Sequence, residues 1–166
     1  MPDLKFKVGD KVVYPSHGVG EIIELETQII AGSHINLYVI SFEQEKMVLR
    51  VPVTRAESSG LRNLIGHDTV SKIYTVLKGK AKIGNKMWSR RAQEYETKIN
   101  SGDVLFIAEV VRDLYKNIDT DRSYSERNIY EMALNRLGKE LAILENMAQD
   151  SAIEKLIELL RDKTAA

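Results

Sequence analysis

In the first third of the chain apolar and polar side chains alternate. Ile23, Leu25, Thr27 and Ile29 are interleaved with Glu24, Glu26 and Gln28, and Ile35, Leu37 and Val39 with Asn36 and Tyr38. A period of two places successive side chains on opposite faces of a strand, so these runs predict half-buried strands with the first-named residues inward. Ala31-Gly32-Ser33 falls between them as a hairpin loop, and Glu43-Gln44-Glu45-Lys46 turns the chain into a further strand, Met47 to Val53. With Lys11 to Tyr14 this makes four or five short antiparallel strands. So small a sheet is best stabilised by curling on itself, which also hides its edges; residues 1 to about 57 are predicted to form a small antiparallel β barrel.

From Asp68 the period becomes helical. Val70, Ile73, Tyr74 and Leu77 form one stripe and Val104, Ile107, Ala108, Val111 and Leu114 another, followed by Ile129, Ala133, Leu137 and Leu141, then Ile153, Leu156, Ile157 and Leu160. All three prolines, Pro2, Pro15 and Pro52, precede this change. Ser123-x-x-Glu126 and Ser151-x-x-Glu154 match capping boxes, Ser101-Gly102-Asp103 breaks the chain before a helix, and Ser89 is placed to cap a helix from Arg90 to Asn100. About five helices are predicted to pack as one all-α bundle. Glu57-Ser58-Ser59-Gly60, extended to Gly66-His67, reads as a linker. The architecture expected is therefore α+β in two domains, residues 1–60 and 61–166.

Composition narrows what such a protein does. Its 166 residues, 43% hydrophobic and 29% charged, suffice for one large or two small cores. The absence of cysteine removes disulfides, thiolate metal sites, iron–sulfur clusters and a cysteine nucleophile together. No stretch approaches the ~20 apolar residues of a membrane span, and Met1-Pro2-Asp3-Leu4-Lys5 lacks the apolar run of a signal peptide. A cytoplasmic location is expected, with no membrane partner.

Charge is balanced overall, 24 basic against 24 acidic residues, but not locally. Residues 1–60 carry 6 basic and 8 acidic side chains, 61–122 carry 12 and 8, and 123–166 carry 6 and 8. Lys78, Lys80, Lys82, Lys86, Arg90 and Arg91 fall within fourteen residues that contain no Asp or Glu. Clustered like charges repel, and a polyanion relieves that repulsion. Most charge runs are simply solvated loops, and Gly79 and Gly84 suit an exposed connection. This one also holds the only tryptophan, Trp88. Cations that hold phosphates beside a flat side chain that wedges against bases are one recipe for nucleic-acid contact. The competing account of Trp88, a core residue pinning the loop to the bundle, weighs about equally by periodicity alone.

Nothing points to an enzyme. His17, His34 and His67 lack the paired spacing of metal ligands, and Lys78-Gly79-Lys80 lacks the upstream glycine and following Ser or Thr of a phosphate-binding loop. Carboxylates such as Glu154 and Glu158 lie beside Lys155 and Arg161, as on a solvated helix face. No catalysis, cofactor, metal or small-molecule substrate is expected.

Several segments together carry a resemblance. They are Phe6-Lys7-Val8-Gly9-Asp10-Lys11-Val12-Val13-Tyr14-Pro15-Ser16-His17-Gly18, Arg50-Val51-Pro52, Trp88-Ser89-Arg90-Arg91, and Ser101-Gly102-Asp103 followed by Ala108-Glu109-Val110-Val111-Arg112-Asp113-Leu114. From about residue 6 to residue 145 or beyond, the chain resembles the CarD family of bacterial transcription regulators, also called CdnL-like. The opening segment is shared with the RNA-polymerase-interacting domain of the transcription-repair coupling factor, so it specifies only the first module; the later segments are far more specific.

The resemblance implies a Tudor-like barrel that docks on the RNA polymerase β subunit, and a helical domain that touches promoter DNA. It implies that Trp88 wedges into the minor groove at the upstream edge of the transcription bubble, with Arg90 and Arg91 as its basic neighbours, to which the acid-free basic stretch adds Lys86, Lys82 and Lys80 as DNA-binding residues. It places Arg50, with Val51, Pro52 and Gln28, at the polymerase contact. Gln28 stands where some members carry an arginine, and Gln93 where some carry a lysine facing DNA. The expected function is stabilisation of the open promoter complex. The rival readings are a non-catalytic adaptor whose bundle binds a second protein, and an RNA-binding module of the translation machinery.

Overall fold

A computed structural model describes residues 4–82, 85–115 and 123–165. Five strands come first: β1 (Lys11–Tyr14), β2 (Gly18–Ile30), β3 (Ser33–Phe42), β4 (Met47–Pro52) and, after a 3-10 turn at Val53–Arg55, β5 (Arg62–Asn63). Five helices follow: α1 (His67–Lys78), α2 (Trp88–Asn100), α3 (Val104–Leu114), α4 (Tyr124–Glu145) and α5 (Gln149–Ala165). The protein is thus α+β, and it divides into two compact units, Met1–Leu64 and Ile65–Ala166.

The strands form one antiparallel sheet in the order β4-β3-β2-β1-β5. Among the described residues β4 and β5 end that order, so the pairing describes a sheet with two edges; its layout is compatible with a Tudor-like fold. The β2–β3 hairpin turns where expected. Ile30 faces Ser33 across the two-residue turn Ala31-Gly32, and both turn residues have positive φ, 49° and 81°, the geometry whose twist matches the flanking strands.

The alternation in β2 and β3 has a different consequence from the one expected. The register slips between Ile22 and Glu24, which makes Ile23 an extra residue exposed on a bulge. Beyond it the hairpin extends past the core, so Leu25, Ile29 and Ile30 are exposed, Ile29 by 68%. Tyr38, expected on the polar face, is 1% exposed and lies in the core, meeting the edge of Phe6 at 5.6 Å. Leu37 and Val39 are buried as well, on the opposite face, so β3 is covered on both sides. The core of this unit is built from Phe6, Val12, Ile22, Tyr38, Ile40, Phe42 and Val51, joined by Ala56 and Leu61.

Those last two residues correct the linker expected at 57–67. Leu61 is only 2% exposed, Arg62 and Asn63 pair with Val13 and Val12 of β1, and the Leu61 amide donates to the Ala56 carbonyl at 3.1 Å. A strand of two residues is too short to show any periodicity, so its pairing was invisible in the pattern.

In the helical unit α3 is central, packed against α1, α2 and α4 with Val104, Ile107, Ala108, Val110, Val111 and Leu114 buried. Asp103 caps it by accepting the Leu105 amide at 2.9 Å, and Ser123 caps α4 by accepting the Glu126 amide at 3.1 Å, as the expected box requires. Ser151 caps nothing: α5 begins at Gln149, and the Ala152 amide donates to the Ala148 carbonyl, which puts Ser151 inside the first turn. α5 packs on α4 at Gly138, where a Cβ would fall 2.5 Å from Ile153 Cγ1.

Candidate nucleic-acid interface

The basic stretch leaves α1 at Gly79, whose amide donates to the Val76 carbonyl at 3.0 Å. It is then tied to α3. The Lys82 amide donates to Asp113 Oδ1 at 2.9 Å, the same oxygen that receives Arg112 Nε at 2.9 Å. Arg112 and Asp113 are adjacent on α3, with side chains 8% and 3% exposed. A buried cation and anion satisfy each other there and present one remaining acceptor to the loop. Lys78, Lys80 and Lys82 are exposed around this anchor. Gly84, expected to keep the connection open, lies outside the described residues.

The stretch ends in α2, which begins two residues earlier than expected. Met87, exposed and extended at φ −61°, ψ 151°, is the N-cap and makes no side-chain cap bond; its carbonyl accepts from the amides of Arg90 and Arg91. Ser89 is therefore inside the helix rather than capping it. Trp88 is the first helical residue. Its ring is half-buried, packed against the bundle and 6.2 Å from the ring of Tyr95. The indole leans on the core without being swallowed by it.

The cations around Trp88 are not equivalent. Arg90 is exposed. Arg91 lies over both rings, its guanidinium carbon 5.4 Å from the Trp88 centroid and 5.5 Å from that of Tyr95, and Nη2 donates to the Tyr95 hydroxyl at 3.0 Å. Lys86 is ion-paired with Glu94. The hydrogen bond from Lys86 holds the Glu94 carboxyl below the usual carboxylate range, assisted by the Lys86, Lys98 and Arg90 charges and opposed by desolvation. No acid stands in the first turn of α2, so the partial positive charge of the helix start adds to that of the side chains. Chemically this surface can hold phosphate oxygens and offer an apolar plate beside them.

In the sheet unit the expected partner-binding residues separate. Arg50 and Gln28 both bond to Glu26 Oε2, at 2.8 and 3.3 Å, forming a small polar lattice across β4 and β2. Arg50 stands opposite Val39 and Pro52 opposite Leu37. Pro52 also lines a groove of about 540 Å³ with Leu25, Ile35, Val53 and Arg55. Val51 does not join them: it is 5% exposed and faces the core with Tyr38, because adjacent residues of a strand point to opposite faces. Its side chain is unavailable to a partner.

Four residues of these sites were missed. Tyr95 was legible, since 88, 91 and 95 fall on one helical stripe. Glu94 and Glu26 engage cations, and Asp113 the Lys82 backbone amide across 31 residues of chain, only through folding, and no local pattern marks them. Among the described residues no His, Cys, Asp and Glu cluster could hold a metal ion, and no helix is long and apolar enough to cross a membrane.

Comparison with known proteins matches both halves. Residues 6–65 match the CarD-like/TRCF RID domain and residues 72–158 the CarD C-terminal domain. YdeB of Bacillus subtilis (strain 168), by its name a proposed transcription factor, is 26% identical over 145 residues, covering 87% of this chain and 95% of its own. With the two family domains in tandem and the C-terminal one alone spanning more than half its length, the chain belongs to the CarD family.

Proposed function

We propose that this protein regulates transcription without catalysis, by docking its sheet unit on the RNA polymerase β subunit and stabilising melted promoter DNA with the start of α2. Family membership and the name of the Bacillus relative support the role in transcription. The observation that carries the DNA reading is the placement of Trp88 at the first position of α2, part exposed, directly after a basic stretch free of acidic residues. Arg50 and Pro52, on a strand that ends the sheet and so suits addition of a partner's strand, and Gln28 on β2, bonded to the same Glu26 oxygen as Arg50, supply the proposed polymerase contact.

The mechanism follows from linkage. A bound protein shifts the balance between closed and melted promoter only by its differential affinity for the two. Phosphate contacts from Lys80, Lys82 and Arg90 form on either state and supply attachment. The indole supplies the difference, because a wedge fits a partly unstacked junction better than intact duplex. A preference of ~1–3 kcal/mol enriches the open complex roughly 5-fold to 150-fold.

Trp88→Ala is expected to shorten the open-complex lifetime at fixed salt by such a factor while polymerase binding stays intact; an unchanged lifetime refutes the wedge. Arg50→Glu is expected to abolish recruitment to polymerase and to leave weak DNA binding. Retained recruitment removes the docking assignment.

A further inference from the structure

We infer that Arg91 is a positioning residue that fixes the Trp88 ring, not a ligand of DNA phosphate; this rests on the proposed role of Trp88 as a wedge. Trp88, Arg91 and Tyr95 recur at spacings of three and four on α2, and their groups form a triangle with sides of 5.4, 5.5 and 6.2 Å. Arginine grips a phosphate bidentately through two parallel N–H groups on one edge of its plane. In Arg91 the edge formed by Nε and Nη2 is closed, because Nε is buried with no acceptor and Nη2 is bonded to Tyr95. Leaving an N–H buried and unanswered is unfavourable, and the two π faces are what the guanidinium receives in return. Arg90, its exposed neighbour, has no such restraint and suits phosphate.

The consequence is preorganisation. A ring held by a planar cation and a second ring loses less rotamer freedom when it enters a groove, so its preference for a fork is expressed more fully. A lysine at 91 would keep the charge and lose the plate, which separates the two roles.

The test uses the full-length protein. Trp88 is the only tryptophan, so its emission and anisotropy report this ring directly. Arg91→Lys is expected to shift the emission and lower the anisotropy of the free protein, and to reduce several-fold its preference for a forked over an intact DNA duplex. Tyr95→Phe, which keeps both rings and removes only the hydroxyl, is expected to move anisotropy the same way by less. In salt titrations Arg91→Met is expected to leave the slope of log affinity unchanged, whereas Arg90→Met lowers it by about 0.9, the loss of one phosphate contact. Unchanged fluorescence in both Arg91→Lys and Tyr95→Phe overturns the inference, as does a loss of ~0.9 in slope for Arg91→Met. If the parent itself shows no fork preference, the wedge reading fails while the fluorescence comparison still decides what Arg91 holds.

Discussion

Replacing Asp113 by Asn tests whether the basic stretch is anchored through a buried charge. Asn keeps the shape of the side chain and an oxygen able to accept from Lys82 N and Arg112 Nε, both now at 2.9 Å. What it removes is the counter-charge of a guanidinium 8% exposed to solvent. Breaking a buried ion pair from one side costs about 3–5 kcal/mol, and the retained acceptor places Asp113→Asn near the lower figure. Against a total stability of about 5–15 kcal/mol that is a large fraction. For a unit of roughly 100 residues, 1 kcal/mol moves the midpoint by about 4–8 °C, so thermal melting followed by far-UV circular dichroism should show a fall of at least ~12 °C. The double variant Arg112→Met with Asp113→Leu should melt much closer to the parent, since an apolar pair needs no counter-charge. A single Asn variant melting within ~4 °C of the parent would refute the claim that this pair is buried and mutually dependent.

Glu94→Gln is expected to free Lys86, raising affinity for a labelled DNA duplex and steepening its salt slope by up to ~0.9. The pH dependence has the same origin: Glu94 is depressed in the folded state, so its pair with Lys86 is fully present above the ordinary carboxylate value and is lost as pH falls through the lowered one. DNA affinity of the parent should therefore approach that of Glu94→Gln only on strong acidification, and be lower than it at pH 7. Gly138→Val is expected to destabilise the bundle by ~1–3 kcal/mol by overpacking against Ile153, and Ile153→Ala in the same chain should restore part of the loss in a thermal melt.

How much of this was legible depends on the range of the interaction. The β2–β3 hairpin was readable because a two-residue turn declares itself locally, and the helical stripes because α1, α3, α4 and α5 bury the residues that recur on them. The bulge at Ile23 was not, since one extra residue in β2 leaves the alternation of letters intact; it sets Leu25 opposite Tyr38 while β3 keeps its own register. Tyr38 lies in the core because β3 is covered on both faces, and Ile29 is exposed because the hairpin runs past that core; a period of two shows neither. The burial of Val51 was hidden as well: its neighbours Arg50 and Pro52 point the other way, and a motif of consecutive residues in a strand always spans both faces. In the candidate interface, the clustering of Lys80, Lys82, Lys86 and Arg90 around Trp88 was visible as composition. That Lys86 is already engaged was not, because Glu94 reaches back 8 residues to it, nor was the anchoring of the Lys82 backbone amide by Asp113 across 31 residues.

The balance of charge bears on how such a surface operates. At physiological salt, fields from exposed charges fade over ~8 Å, so a chain with equal numbers of acids and bases still presents a locally basic face. Phosphate contacts of this kind bind non-specifically with dissociation constants of ~10⁻⁴–10⁻⁶ M, too weak to collect a neutral protein on DNA by themselves. A second module docked on polymerase converts that step into an intramolecular one at an effective concentration of about 1 mM for a short connection. Against a dissociation constant of ~10⁻⁵ M, the ratio of 100 stabilises the engaged state by about 2.7 kcal/mol. That is comparable to the ~1–3 kcal/mol assigned to the Trp88 wedge. Neither half suffices alone under the proposed function: the sheet unit makes a weak grip local, and the ring makes a local grip selective. Strengthening the grip with more cations would undo the second property, since added phosphate affinity acts on closed and melted DNA alike and draws the protein to duplex wherever it is found.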